Sequence, residues 1–227
     1  MIRIKFSPQW FYGYDAAIDI VSVIVLGLLA FYAYKIFSFT GRKRDKYFAL
    51  SFLSIALAFL SKVAMNLVIY YPKINKVAYD AVNLTVQYTG QSRLAYVVGF
   101  LFYRFLVLLG LYGLYYVVTK NKNRYDIAIA MGLSTIIILF SSSQYFVFHV
   151  ASAIISAGIV YNYLWYNRKQ ESKERLRVGW AFAAIFFSQL VFILTIFHDY
   201  FYVAGQLIQL VGFLILAYTF YSIVIKK

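Results

Sequence analysis

Seven apolar stretches, separated by short polar segments, cover most of this chain. A helix needs about 20 apolar residues to cross roughly 30 Å of hydrocarbon, and only the fourth stretch falls clearly short of that length. The pattern therefore predicts an all-α fold, a polytopic membrane protein built as a seven-transmembrane-helix bundle. The predicted spans cover residues 15–39, 47–71, 94–118, 127–142, 145–166, 180–200 and 202–225, after an N-terminal segment of residues 1–14.

Composition indicates that lipid rather than water is the solvent of this fold. Hydrophobic residues make up 63% of the chain and charged residues 13%, with a mean hydropathy of +0.72, whereas a soluble domain has about 25% charged residues. No hydrophilic stretch has the length of a soluble domain, so we expect any chemistry in the bundle or at its rims. Cysteine is absent, which excludes disulfides and thiolate chemistry.

The basic residues predict an orientation. The net charge of +14 lies mainly in short loops beside the spans, which indicates contact with anionic membrane lipids rather than nucleic-acid binding. The segments after the first, third and fifth spans, with the C-terminal tail, hold most of the 22 Lys and Arg residues. By the positive-inside rule these segments are cytoplasmic. The N-terminus is then outside and the C-terminus inside, in a multi-pass protein of the cell membrane.

Two connections carry further predictions. The one long loop, residues 72–93, is predicted to be external, and its middle at 77–88 has the mixed polarity of a short interfacial helix or a hairpin. It contains Asn83-Leu84-Thr85, which matches the acceptor pattern for N-glycosylation. A polar hairpin at residues 141–144 is predicted to join the fourth and fifth spans as antiparallel neighbours.

A few polar side chains lie within the spans, where an ionisable group is costly and should face the bundle interior or water. Lys62 lies nine residues and Arg104 ten residues from the external end of their spans, roughly 14–15 Å deep. Most other polar side chains lie nearer the outside, and the inner half has little beyond Ser and Thr. The candidate ligand-binding residues are therefore Asp19, Lys62, Asn66, Arg104, His149, Gln206 and Gln209.

Charge balance is the main question at these positions, because Asp19 is the one carboxylate well inside a span and can neutralise only one of two cations. Helical side-chain direction tilts Arg104 outward and Lys62 inward, where the sequence offers no acidic partner. Three possibilities then remain for Lys62. It is neutral because burial disfavours the charged form, a bound anion balances its charge, or a water-filled vestibule reaches it. The alternative to a ligand site is an Asp19–Arg104 pair and hydrogen-bonded amides that hold the helices together.

The positions and number of the histidines indicate a role in helix packing rather than in catalysis. His149 begins a stripe with Ser152 and Ser156, and small side chains at this spacing are typical of close helix packing. His198 lies at the external edge. Two histidines cannot form the multi-histidine site of an intramembrane zinc hydrolase, so we expect no catalytic residue, no metal and no cofactor.

Two motifs carry a resemblance to a known group of proteins. The first is Tyr12-Gly13-Tyr14-Asp15, which leads into the first span, and the second is Gly205-Gln206 followed by Gln209-Leu210-Val211-Gly212 in the last span. On these motifs the chain resembles uncharacterised archaeal seven-helix membrane proteins, and its last helix is similar to that of seven-helix sensor regions of histidine kinases. The resemblance implies this fold and no known activity, and Gln206 stands where it predicts histidine. The chain does not resemble the opsins, because its last span has no lysine before Lys226.

These observations favour a receptor-like or sensory module that binds a small or lipid ligand in an outward-facing polar cavity. Such a module would act through a protein partner, which we expect at the basic loop 168–177. A transporter or channel for a small anionic solute is one alternative, and it requires a polar route through the inner half. A structural subunit of a membrane complex is the other, and an enzyme that uses Lys62 is the least favoured function.

Overall fold

The computed structural model describes residues 8–11, 13–79, 90–119, 125–141, 145–166 and 172–225. Seven α-helices account for nearly all of them: α1 Tyr14–Thr40, α2 Lys43–Tyr79, α3 Gly90–Thr119, α4 Tyr125–Ser141, α5 Tyr145–Tyr161, α6 Lys173–Ile193 and α7 Tyr200–Ile225. Within these residues, six helices are long and apolar enough to cross a membrane, over Tyr14–Thr40, Lys43–Leu67, Val98–Thr119, Phe146–Trp165, Lys173–Ile196 and Tyr200–Ile223. These helices confirm the prediction of an all-α, polytopic membrane bundle.

The long loop predicted over residues 72–93 is helical at both of its ends. Helix α2 continues through Pro72 to Tyr79, and α3 begins at Gly90. Proline in a helix interior removes one backbone hydrogen bond and usually kinks or ends the helix, yet α2 continues past Pro72. Several other predicted features lie outside the described residues: the segment 1–7, the sequon at 83–85, the hairpin residues 142–144, and the basic residues within 120–124, 167–171 and 226–227.

A tight turn reverses the chain between α1 and α2. Gly41 ends α1 with a left-handed φ of 63°, and its N–H donates to the Phe37 carbonyl oxygen at 2.8 Å. Glycine adopts this conformation without the steric cost of a side chain. Across the turn, Thr40 Oγ1 donates to Asp45 Oδ2 at 2.6 Å. Helices α1 and α2 therefore pack as antiparallel neighbours.

The helices have two distinct ends, which we name the site end, where α1 begins at Tyr14, and the basic end, where α2 begins at Lys43. Contacts across the interfaces show that α3, α5 and α7 also begin at the site end, while α6 runs the other way. In order of contact, α1, α2, α3, α5, α6 and α7 close a ring, and α4 packs outside it against α3 and α5.

The parallel arrangement of α3 and α5 constrains α4. The Tyr103 ring, early in α3, lies 6.0 Å from the Phe148 ring, early in α5. Near the opposite ends of these helices, a Cβ atom on Gly158 would lie 2.8 Å from Cε2 of Tyr115. The chain must therefore return to the site end between α3 and α5, and α4 is the described helix in that connection. Its 17 residues have a length of about 26 Å.

Helices α2 and α3 approach each other closely because glycine and serine lie at their interface. A Cβ atom on Gly110 would clash with Ile55 and lie 2.8 Å from the Ser51 carbonyl oxygen. Ser54 Oγ donates to the Leu106 carbonyl oxygen at 2.9 Å. Small residues with interhelical hydrogen bonds are the usual means of helix association in lipid.

Candidate functional site

Three polar side chains from three helices meet inside the bundle near the site end. Lys62 Nζ of α2 donates to Asp19 Oδ1 of α1 at 3.0 Å and forms an ion pair with it. Gln206 Nε2 of α7 donates to the same oxygen at 3.1 Å. The Asp19 side chain is fully buried and that of Lys62 is 11% exposed. We call these three residues the Asp19 cluster, and helix rise places Asp19 and Gln206 roughly 8–9 Å from the site end.

The partner of Asp19 corrects the prediction of an Asp19–Arg104 pair. Helix α1 packs against α2 and α7, whereas Arg104 belongs to α3 on the far side of α2. The Cα–Cβ direction of Lys62 gives only the first bond of a long flexible stem, and that stem reaches the α1 carboxylate. The Lys62 charge is therefore balanced within the protein, and no bound anion is needed to neutralise it.

Arg104 lies among aromatic rings inside the bundle. Its guanidinium carbon is 4.4 Å from the centre of the Phe100 ring and 5.6 Å from that of Phe148. Only 2% of the residue is exposed, so the outward tilt expected from helical side-chain direction leaves Arg104 inside the bundle. The Phe148 ring belongs to α5, which packs against α3.

Two oxygen atoms of the Asp19 cluster have no hydrogen-bond partner among the described residues, Asp19 Oδ2 and Gln206 Oε1. On α2, one turn from Lys62, the buried Asn66 Nδ2 is a donor that likewise finds no partner there. Buried polar groups are almost always hydrogen-bonded, and leaving one unsatisfied costs about 1–3 kcal/mol. This end of the bundle therefore offers two acceptors and one donor to a further group.

Aromatic rings surround the Lys62 ammonium. Lys62 Nζ lies 5.7 Å from the ring centre of Phe59, 5.9 Å from that of Tyr103 and 5.8 Å from that of Tyr202. Cations are attracted to aromatic faces at about this distance. Sequence reasoning missed these residues, although Phe59 precedes Lys62 and Tyr202 precedes Gln206 by one helical turn, the spacing that brings side chains together.

The motif that precedes the first span fixes the start of α1 and joins it to α7. Asp15 Oδ1 accepts hydrogen bonds from the backbone N–H of Ala16 at 2.8 Å and of Gly13 at 3.1 Å. A carboxylate at this position stabilises the unpaired N–H groups of a helix start. Gln206 Nε2 also lies 3.3 Å from the Asp15 carbonyl oxygen. Gln206 therefore holds the beginning of α7 against the beginning of α1.

His149 forms a second buried polar pair, between α5 and α6. Its Nδ1 lies 2.9 Å from Gln189 Oε1, and its ring stacks on Phe192 with ring centres 4.9 Å apart. Further along α5, the Ser152 and Ser156 side chains are fully buried. Gln189 was not among the predicted site residues, although it lies in a span at a depth similar to that of Lys62.

Gln209 lies apart from the Asp19 cluster. With Gln189 it lines a cavity of about 20 Å³ whose remaining walls, including Phe59, are apolar. A water molecule needs about 10–15 Å³ of such space, so this cavity has the size of one water. Of the predicted residues, Asp19, Lys62 and Gln206 come together and Asn66 lies one turn away. His149, Arg104 and Gln209 lie outside that cluster, and Gln209 shares its cavity with Gln189, the partner of His149.

Toward the basic end, the described interior offers no continuous polar lining. Ser51, Ser156 and Thr219 each donate to the carbonyl oxygen four residues earlier, at 2.7 Å. These hydroxyls therefore satisfy themselves on their own helices. The side chains packed around them are buried and apolar, among them Phe52, Leu111, Leu114, Phe182 and Leu216.

The described part of the predicted partner loop, residues 172–177, lies at the basic end, and two of its arginines make contacts within the protein. Arg175 Nη2 donates to the carbonyl oxygens of Asn162 at 3.1 Å and Tyr163 at 2.9 Å. The guanidinium carbon of Arg177 lies 5.5 Å from the ring centre of Tyr218 on α7. The beginning of α6 is therefore tied to the segment after α5 and to the last turns of α7.

Comparison with protein-family models, with curated proteins and with solved structures finds no match for this chain. Within the described part of the chain, no three His, Cys, Asp or Glu residues form a group that could hold a metal ion. Function must therefore be inferred from the site itself rather than from a relative.

Proposed function

We propose that this integral, multi-pass membrane protein is a seven-span, receptor-like sensory module of the cell membrane, with the site end outside and the basic end in the cytoplasm. The return of the chain between the parallel helices α3 and α5 supports α4 as the seventh span, since its length of about 26 Å approaches the thickness of the hydrocarbon layer. The exposed basic residues at the starts of α2 and α6 support a cytoplasmic basic end.

The ligand of this module is a small polar molecule that carries hydrogen-bond donors. The observation that carries this proposal is the pair of unpartnered buried oxygens, Asp19 Oδ2 and Gln206 Oε1. Because both atoms are hydrogen-bond acceptors, the group that bonds to them has to donate a hydrogen bond, as a hydroxyl or an ammonium does. Asn66, one turn from Lys62 on α2, adds a buried donor that has no partner among the described residues.

A purely structural cluster would be expected to satisfy its own atoms. Polar residues that only hold membrane helices together gain their stability from completed hydrogen bonds, and here two buried acceptors have no donor among the described residues. Lys62 and the aromatic rings around it provide further contact surface for a polar ligand. The balanced Asp19–Lys62 charge favours a neutral or cationic ligand over an anionic one.

Helix α7 is the element that would pass a ligand signal to a cytoplasmic partner. Gln206, near its start, contacts both Asp19 and Asp15, and Tyr218, near its end, contacts Arg177 at the start of α6. A ligand that draws Gln206 away from Asp19 would move a helix whose far end lies beside the predicted partner loop. The apolar interior toward the basic end, by contrast, speaks against a route for a transported solute.

The test is ligand-dependent thermal stability of the purified chain in lipid nanodiscs. The probes are methylammonium, glycerol and glycine, which carry donors, and acetate, which does not. We expect at least one donor-bearing probe to raise the Tm, because a ligand at about 100 times its Kd stabilises by about 2.7 kcal/mol. Acetate should have no effect.

The variant Gln206→Leu removes one of the two open acceptors, and Gln209→Leu is its control, since Gln209 lies one turn along the same helix and is also buried. The Tm increase should be lost in Gln206→Leu and retained in Gln209→Leu. Equal increases in both variants, or an increase with acetate alone, would exclude the proposed site.

A further inference from the structure

A groove on the lipid-facing surface runs between α2 and α3 in the half of the bundle near the basic end. Its volume is about 210 Å³, roughly ten times that of the interior cavity beside Gln209. We call it the α2–α3 groove. Its lining residues are Tyr47, Leu50, Ser51 and Ser54 from α2, and Leu109, Tyr112, Gly113 and Tyr116 from α3.

The groove forms because small residues make its floor and large residues make its rims. Gly113 has no side chain, and a Cβ atom there would clash with Ser51 Oγ. The hydroxyls of the floor are already used, since Ser51 Oγ donates to the Tyr47 carbonyl oxygen at 2.7 Å and Ser54 Oγ to that of Leu106 at 2.9 Å. The floor therefore needs no polar occupant, and a hydrocarbon chain fits it.

The end of the groove nearest the basic end is positively charged. Lys43, Tyr47, Leu50 and Ser54 follow one another at three- and four-residue spacing, so they lie on one face of α2. Lys46 precedes Leu50 by one turn, and both lysines are exposed. The nearest acidic side chain in sequence, Asp45, points away from this face and is engaged by Thr40 Oγ1 at 2.6 Å.

We propose that the α2–α3 groove is a specific site for an anionic phospholipid, with one acyl chain in the groove and the phosphate at Lys43 and Lys46. An apolar trough that ends in two cations matches the two parts of such a lipid. A free phosphate would use the cations and leave the trough uncovered, and a zwitterionic lipid would fill the trough with weaker attraction to the cations. This inference does not depend on the function proposed for the Asp19 cluster.

The test measures lipid binding to the delipidated full-length protein in detergent by native mass spectrometry. The probes are dioleoyl phosphatidylglycerol, dioleoyl phosphatidylcholine and inorganic phosphate. We expect one tightly held phosphatidylglycerol per chain, with affinity for phosphatidylcholine lower by about tenfold or more, since each lysine near a lipid surface contributes about 1 kcal/mol. Inorganic phosphate at the lipid's concentration should not displace it.

Three variants separate the groove from general surface charge. Lys43→Gln/Lys46→Gln should weaken phosphatidylglycerol binding by about tenfold or more. The control Lys35→Gln/Lys173→Gln removes the same charge from two other exposed lysines and should leave the affinity unchanged. Leu50→Trp fills the groove at a residue that is 48% exposed, so it should fold normally and weaken binding of both lipids.

Three results would overturn the proposal. Equal losses in the two double-lysine variants would mean that the lipid responds only to overall charge. An unchanged phosphatidylglycerol affinity in Leu50→Trp would mean that no acyl chain occupies the groove. Displacement by inorganic phosphate would also overturn it, because the headgroup alone would then account for binding.

Discussion

The Lys62 ammonium and the Asp19 carboxylate form a 3.0 Å pair in the interior of the bundle. Losing one member of a buried ion pair is more damaging than losing both, because the remaining charge stays buried without compensation. The Asp19→Leu and Lys62→Met variants should each lower the free energy of unfolding by about 3–5 kcal/mol. The double variant should lose much less than the sum of the two. Equilibrium unfolding of the four proteins in detergent measures this coupling.

Lys35→Met is the control for this cycle. Lys35 lies on α1 near the basic end and is exposed, so its replacement should change the unfolding free energy little. If the losses in Asp19→Leu and Lys62→Met simply added in the double variant, the two side chains would not be coupled and the pairing would be refuted.

The hydrogen bond between His149 and Gln189 predicts the proton position on the histidine. Gln189 Nε2 lies 3.4 Å from Ser188 Oγ, which leaves Gln189 Oε1 as the acceptor facing His149 Nδ1 at 2.9 Å. His149 should therefore be the Nδ1-protonated tautomer. Nitrogen NMR of ¹⁵N-histidine-labelled protein carrying His198→Asn reports His149 alone, because the chain has two histidines. A spectrum of the Nε2-protonated tautomer would contradict this hydrogen bond.

At the residue scale, the sequence could identify which side chains are unusual but not which of them meet. The cost of polar groups in lipid is enough to single out Asp19, Lys62 and Gln206. Their pairing depends on which helices are neighbours and on where a long lysine stem ends, and neither follows from helical spacing. The aromatic rings around Lys62 were missed because aromatic residues are common throughout this chain.

At the scale of elements, the two glycines Gly110 and Gly27 differ in what surrounds them. A Cβ atom on Gly110 would clash with Ile55 and crowd the Ser51 carbonyl oxygen, whereas one on Gly27 would meet nothing within 4 Å. Gly110→Ala should therefore lower the unfolding free energy by about 1–3 kcal/mol. Gly27→Ala should leave it unchanged or raise it slightly, since alanine favours helix. Unfolding in detergent compares the two, and similar effects would refute the close α2–α3 packing.

The helices themselves follow largely from the length of the apolar stretches, because lipid requires each backbone polar group to be satisfied within its own segment. The ends of α2 and α3 do not follow in the same way. Residues 72–79 and 90–93 are polar enough for a loop yet continue the helices, since a helix started in the membrane can extend past it without an apolar sequence.

At the scale of the whole molecule, the absence of cysteine makes the proposed topology testable with single introduced cysteines. Asp199→Cys at the site end and Lys173→Cys at the basic end replace exposed residues. A membrane-impermeant maleimide should label the first on intact cells and the second only after permeabilisation. The reverse pattern would invert the proposed orientation.

The same method tests α4 as a span. Lys122→Cys and Ser143→Cys lie in the sequence on either side of α4. Seven spans predict that only the second is labelled on intact cells. Labelling of both, or of neither, would mean that α4 does not cross the membrane.

The central claim is that Asp19 Oδ2 and Gln206 Oε1 accept hydrogen bonds from a small ligand rather than from the protein. The most direct measurement is a high-resolution cryo-EM map of the chain in lipid nanodiscs, prepared with the probe that gives the largest Tm increase. We predict density larger than a water molecule within hydrogen-bonding distance of both oxygens and of Asn66 Nδ2. A map in which protein donors satisfy both oxygens, with no space left between α1, α2 and α7, would contradict the account.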